Sequence, residues 1–308
     1  MSSSTSKEDW DARRKYFVRS LNCKTFCSPF GPWVIVPDGS FMGYFDWVPM
    51  RLRVGSWSVF PPLCLASAAW YLFINIPMTQ VPLEQKSNPG YHYPEAYSIM
   101  WYYNIFGFVW MCFVLKRVCA SSIFVVITFT VLSWTTMTLR HGCSALAPFL
   151  FPQNNKFHSA ILQFHEISRF LVLVSATITF TVWNFVLAPL IYYKFLDSTE
   201  KKKRFLKWNS SFELCQIHAF NLPIAILNTV VSVDRSLLFS YHDLWFSLMW
   251  MTGYGIFYIT ILDRFGVHLY PIFSPRSHIA AISTCLTFGL IVAIRSCWNF
   301  ALASDFLR

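Results

Sequence analysis

Charge is scarce in this sequence. Asp, Glu, Lys and Arg make up 13% of its 308 residues, where soluble domains carry about 25%. That deficit excludes an ordinary soluble domain. Several motifs are also missing. No C-x-x-C occurs among nine scattered cysteines, so neither a disulfide framework nor a zinc site is expected. The eight histidines form no H-x-x-x-H or H-E-x-x-H pattern, which argues against a histidine-rich metal centre. There is no G-x-S-x-G elbow and no Walker loop. No cofactor or metal is expected. The first residues, MSSSTSKEDWDARRKYF, contain no apolar stretch of signal-peptide type, and no cleavable secretory signal is expected. No lysine falls inside an apolar segment, which removes retinal attachment.

What is abundant is apolar surface. The sequence is 55% hydrophobic and 19% aromatic, with a mean hydropathy of +0.43. A bilayer core of about 30 Å needs about 20 apolar residues per helix. Seven windows qualify, at 58–78, 97–115, 120–139, 170–193, 211–232, 243–263 and 278–301. Backbone groups in lipid must be satisfied within the segment, so helices are the spanning structure for runs this long. The expectation is an all-α, polytopic transmembrane bundle of about seven spans. An extramembrane segment over 1–57 precedes an added span and loop over 58–96 and a six-helix core over 97–308.

The net charge of +10 suits anionic lipid and membrane topology better than nucleic acid. Seven spans place 18 of the 25 Lys and Arg residues on one side and 7 on the other, with KKKR at 201–204 anchoring the basic side. Cytoplasmic loops carry such an excess. The reading is an integral, multi-pass membrane protein with its N-terminus in the cytosol.

His218 stands out within LCQIHAFNLPIAILNTVVS, residues 214–232. Ionisable groups at bilayer depth are costly and usually functional. Asn221 and Asn228 follow at helical spacing, making a polar stripe with Pro223 beside it. The span over 120–139 carries Thr128, Thr135 and Thr138 on one face. Counting 1.5 Å per residue from the basic side puts Thr128 and His218 at about the same depth, roughly 10–12 Å. A hydroxyl and an imidazole at matching depth can act as nucleophile and base where their helices touch. The bland alternative is that each threonine bonds its own i−4 carbonyl and that the histidine makes a structural hydrogen bond. His165-Glu166-Arg169 reads as a charged helix entrance, and the segment 140–169 as a loop followed by an interfacial turn of helix. Asp263 and the segment HLYPIFSPR read as a positioned loop at a membrane edge, and Arg295 with Asn299 as an interfacial pair.

Four motifs occur in order: VITFTVLSWTTMTL, ATITFTVWNFVLAPLIYY, QIHAFNLPIAILN and YPIF (Tyr270–Phe273). With these, residues 97–303 resemble the androgen-induced-gene family of multi-pass membrane proteins, which takes in the androgen-dependent regulators of tissue factor pathway inhibitor. The same segments are similar to rolling-stone-like proteins. The resemblance implies a membrane hydrolase of fatty acid esters of hydroxy fatty acids, with Thr128 as nucleophile and His218 as its partner. Asn221 would then orient the imidazole or hold the oxyanion. The implied partners are membrane lipids and a lipid ester substrate. The competing reading is a non-catalytic accessory subunit that meets other membrane subunits. A transporter ranks last, since no inverted repeat is visible.

Overall fold

The computed structural model describes residues 34–35, 56–57, 60–75, 96–121, 123–150, 156–231, 238–263, 270–275 and 280–304. The described residues are overwhelmingly helical. A two-residue antiparallel ladder, β1 (Val34–Ile35) on β2 (Ser56–Trp57), sets Val34 opposite Trp57. The rest of the expected 1–57 segment lies outside the described residues. In chain order the helices are α1 (Phe60–Asn75), α2 (Ile99–Ser121), α3 (Phe129–Leu150), α4 (156–195), α5 (Thr199–Asn209), α6 (212–231), α7 (Tyr241–Asp263) and α8 (Ala280–Ala303).

Each of the seven apolar windows contains a helix. Four helical stretches are long and apolar enough to cross a membrane: Ile99–Ala120, Phe164–Phe195, Tyr241–Asp263 and Ile282–Ala301. They mark an integral membrane protein, since runs of about 20 apolar residues match the hydrocarbon thickness. Around these helices the exposed large side chains are apolar, among them Phe106, Val109, Phe185, Leu286 and Phe300. That is the surface a lipid solvent requires.

The chain divides into two compact units, one combining Met1–Asn75 with Met249–Gly289 and the other Ile76–Leu248 with Leu290–Arg308. In the first, the end of α7 is tied to the YPIF turn, whose Pro271–Phe273 form a 3-10 helix. Tyr258 OH donates to the Tyr270 carbonyl at 3.1 Å and accepts from the Tyr270 amide at 3.0 Å. Asp263 is fully buried and accepts from Ser274 Oγ at 2.8 Å. Tyr270 and Ser274 are therefore held to the end of α7 by specific polar bonds, as a buried carboxylate demands.

The second unit is built on α2, α3, α4 and α6. Its core gathers Met111, Val114 and Val118 of α2, Val131, Trp134 and Met137 of α3, Val172 and Ala176 of α4, and Ile217 and Ala225 of α6. Buried indoles need a partner for their N–H. Trp134 Nε1 donates to the Met111 carbonyl at 3.3 Å and Trp101 Nε1 to the Ala145 carbonyl at 2.9 Å, which stitches α2 to α3 along their length. Ser98 caps α2 by accepting from the Trp101 amide. Before it, Tyr97 holds φ at 65°, a strained value for a non-glycine residue, and its ring packs on Trp101 and Phe149. At the end of α8, Arg295 Nε and Asn299 Nδ2 donate to the Phe239 carbonyl, and Asn299 Oδ1 accepts from the Phe239 amide. This pair holds a chain turn rather than only reaching for the interface.

The structure departs from the expected third span. A 3-10 segment, Ile123–Ile127, precedes the helix proper, and α3 runs on to Leu150. The segment expected as loop over 140–169 is mostly helix, with α4 beginning at Lys156. The cause is polar satisfaction. Arg140 and His141, which look like an end signal, are fully buried and find partners on α2, α4 and α6.

Candidate functional site

His218 lies in a π-helical turn, Gln216–Phe220, in the first half of α6. A π-turn inside an α-helix often marks a functional position. Pro223 explains its place, because proline has no N–H to return to Ala219 or His218. The His218 carbonyl accepts instead from Asn184 Nδ2 at 3.0 Å. Asn184 belongs to a second π-turn, Val182–Leu187 of α4. Next to it, Trp183 stacks on the imidazole with ring centroids 4.2 Å apart and planes 20° from parallel. Two irregular turns thus meet, and the pairing holds both ring and backbone of His218.

The other nitrogen-bearing edge of the ring faces α3. His218 Nε2 and Thr130 Oγ1 are 3.5 Å apart, both buried. His218 Nδ1 is buried without a hydrogen bond of normal geometry, although the Leu214 carbonyl one turn earlier interacts with the ring. That arrangement suits a proton on Nδ1 and a lone pair on Nε2 aimed at the Thr130 hydroxyl.

Thr128 is occupied differently. Its hydroxyl donates to the Val125 carbonyl at 2.8 Å and accepts from the Val131 amide at 3.2 Å. Thr128 therefore caps the first turn of α3. Thr138 bonds the Trp134 carbonyl of its own helix. Of the threonines on α3, Thr130 is the one placed against the imidazole. Sequence reasoning passed over it because it lies off the Thr128–Thr135–Thr138 face, and that face assumed a regular helix from residue 120. The helix proper starts at Phe129, and its core-facing side carries Val131, Trp134 and Met137, with Thr130 placed against His218. A break was signalled weakly by the β-branched run Val125–Thr128, which disfavours helix.

Asn221, one turn after His218, is fully buried, and both its Oδ1 and Nδ2 lack hydrogen-bond partners. An amide in apolar surroundings without partners costs free energy. Asn228, the far end of the stripe, is spent elsewhere.

Asn228 belongs to a second buried polar cluster that the sequence did not reveal. Arg140 Nε donates to Asn228 Oδ1 at 2.7 Å, and Asn228 Nδ2 lies 3.1 Å from His141 Nε2. His141 Nδ1 lies 3.0 Å from Asn104 Oδ1, and Asn104 Nδ2 donates to the Met100 carbonyl at 2.8 Å. The directions are consistent only with a neutral His141 protonated on Nδ1. Arg140 also donates to the His165 carbonyl. His165 Nδ1 lies 3.8 Å from Glu166 Oε1, inside α4 rather than at the helix entrance expected for them. Among the described residues, no group of three or more His, Cys, Asp and Glu side chains could hold a metal ion. The seven described cysteines are free thiols.

No family model, curated protein or solved structure matches this chain.

Proposed function

We propose that this chain is an integral-membrane hydrolase of lipid esters, of the type that cleaves fatty acid esters of hydroxy fatty acids. Thr130 replaces Thr128 in the nucleophile's role. The observation that carries the proposal is the buried contact between Thr130 Oγ1 and His218 Nε2, with the partnerless Asn221 amide one turn away. The contact is longer than a settled hydrogen bond, and catalytic contacts of this kind tighten when substrate binds.

In this reading Nε2 takes the Thr130 proton as the oxygen attacks the ester carbonyl carbon. The tetrahedral oxyanion accepts from Asn221 Nδ2. The leaving alkoxide takes the proton back from Nε2 and departs as the hydroxy acid. Water, deprotonated by the same nitrogen, then cleaves the acyl-threonine and releases a fatty acid. Trp183 holds the ring plane throughout. Seven spans with a cytosolic N-terminus complete the proposal, with the basic residues of 116–117 and 194–207 on the cytosolic side.

A second reading has its own support. The stack on Trp183 and the Asn184 bond are what a purely structural histidine in an accessory subunit would also show. A fluorophosphonate activity label on the purified protein separates them. Labelling lost in Thr130→Ala and in His218→Ala supports the hydrolase; equal labelling in all three removes it.

A further inference from the structure

Helix α5 is the most basic element among the described residues. Its sequence, TEKKKRFLKWN, starts on a Ser198 cap that accepts from the Lys201 amide. Lys202, Phe205 and Asn209 are spaced to share one face, and they form its inner side. Phe205 is buried, the Lys202 ammonium lies 5.3 Å from the Tyr192 ring, and Asn209 Oδ1 accepts from Trp183 Nε1 at 2.9 Å. Lys201, Lys203, Arg204, Leu206, Lys207 and Trp208 are exposed. Lys201 pairs with Asp197 and Arg204 with Glu200, so acids on the same stretch offset only part of the charge. Nearby, Arg117 at the end of α2 pairs with Glu213 at the start of α6. That contact puts the basic end of α2 at the same end of the unit.

This helix also touches the proposed site. Trp208 meets Trp183 edge-on at 5.9 Å, and Trp183 in turn stacks on His218. Thus α5 grips, through Asn209 and Trp208, the one indole that holds the imidazole.

We propose that α5 binds the headgroups of anionic phospholipids at the membrane surface, and that its seating on them sets Trp183 over His218. The second half of the proposal rests on the hydrolase reading; the first does not. Exposed cations interleaved with a tryptophan and a leucine match the boundary between headgroup and acyl chain, where amphipathic rings settle. Each Lys or Arg held near an anionic leaflet is worth about fivefold in binding. The exposed cations of α5 together can therefore select anionic lipid strongly even with partial screening by Glu200 and Asp197.

The test uses the full-length protein in nanodiscs of phosphatidylcholine, with and without phosphatidylserine. Spin-labelled lipids report which headgroup is retained at the protein surface. The variant carries Lys201→Gln, Lys203→Gln, Arg204→Gln and Lys207→Gln together, all on the exposed face. The wild type is expected to prefer phosphatidylserine several-fold, and the variant and high salt to remove that preference. No preference in the wild type, or an equal one in the variant, overturns headgroup binding. Hydrogen exchange in 182–187 and 216–220 reads the coupling without relying on activity. Phosphatidylserine should slow it in the wild type and not in the variant. Equal exchange in both bilayers overturns the coupling, whereas absent ester hydrolysis with the exchange effect intact counts against the hydrolase alone.

Discussion

Trp183 and His218 stack face to face, 4.2 Å between ring centroids, across two π-helical turns that oppose each other on α4 and α6. Neither turn would present its ring this way as regular α-helix, because the extra residue in each π-turn rotates the rest of its helix. The indole shields one face of the imidazole, and Thr130 meets its Nε2 edge.

The roles of the two threonines are separable. Thr130→Ala and His218→Ala should each lower kcat on a chromogenic acyl ester by about 10²- to 10⁴-fold, the usual worth of a base and its nucleophile. Thr128→Ala should instead cost about 1 kcal/mol of stability through loss of the cap on α3. Its turnover per folded molecule should stay near the wild type. A reversed pattern, with Thr128→Ala dead and Thr130→Ala active, would return the nucleophile to Thr128.

Trp183 should act through ring geometry. Trp183→Phe keeps a flat ring beside His218 and loses only the N–H donated to Asn209. Trp183→Leu loses both. Ester turnover should fall in the order wild type, Phe, Leu, with KM changing less than kcat. Thermal unfolding of each variant supplies the control, and a kcat that follows only the folded fraction would reduce Trp183 to a packing residue.

The close approach of α2 and α3 depends on two glycines that differ in tolerance. A Cβ at Gly107 would lie 2.9 Å from His141 Nδ1, on a ring held by hydrogen bonds at both nitrogens. A Cβ at Gly142 would lie 2.8 Å from the edge of the Phe108 ring. Gly107→Ala should destabilise by about 1–3 kcal/mol, the range for overpacking. Gly142→Ala should cost less, since Phe108 can tilt. Gly289 meets nothing within 4 Å, and Gly289→Ala should be neutral or gain about 0.5–1 kcal/mol of helix propensity. Unfolding in mixed micelles ranks the three.

The Arg140 cluster should be the costliest to damage. Arg140→Met removes the donor to Asn228 Oδ1 and to the His165 carbonyl, and each hydrogen bond to a charged group is worth about 1.5–3 kcal/mol. His141→Phe preserves the ring volume but removes two hydrogen bonds. Inter-helix hydrogen bonds in membranes average about 0.6 kcal/mol and reach about 1.7, so its cost should be nearer 1–3 kcal/mol. A double-mutant cycle of His141→Phe with Asn228→Ala should show coupling of at least 0.5 kcal/mol, roughly the threshold for residues in one network. Additive costs would mean that the two side chains do not share a bond.

Much of the helix content was legible because hydropathy over a window is a local sum. The run over 170–193 needs no neighbours to be recognised. His218 and Asn221 were legible for a related reason: a polar group in an apolar run is conspicuous wherever it points. Thr130 and the Arg140–His141–Asn104 set were not legible. Arg-His at the end of an apolar window has the same composition whether it faces water or three buried partners. The partners sit 25 to 88 residues away in sequence.

By itself, the sequence determined that this chain is an apolar, helical membrane protein with a basic segment at 201–207 and a histidine set inside an apolar run, since composition and spacing are properties of each segment alone. The tertiary structure decided which hydroxyl meets that imidazole. Helix α3 begins at Phe129 after a 3-10 turn, and Pro223 shifts the register of α6 by a π-turn. Two positions along the chain, about 200° on a helix, separate a threonine that caps its own backbone from one that faces His218.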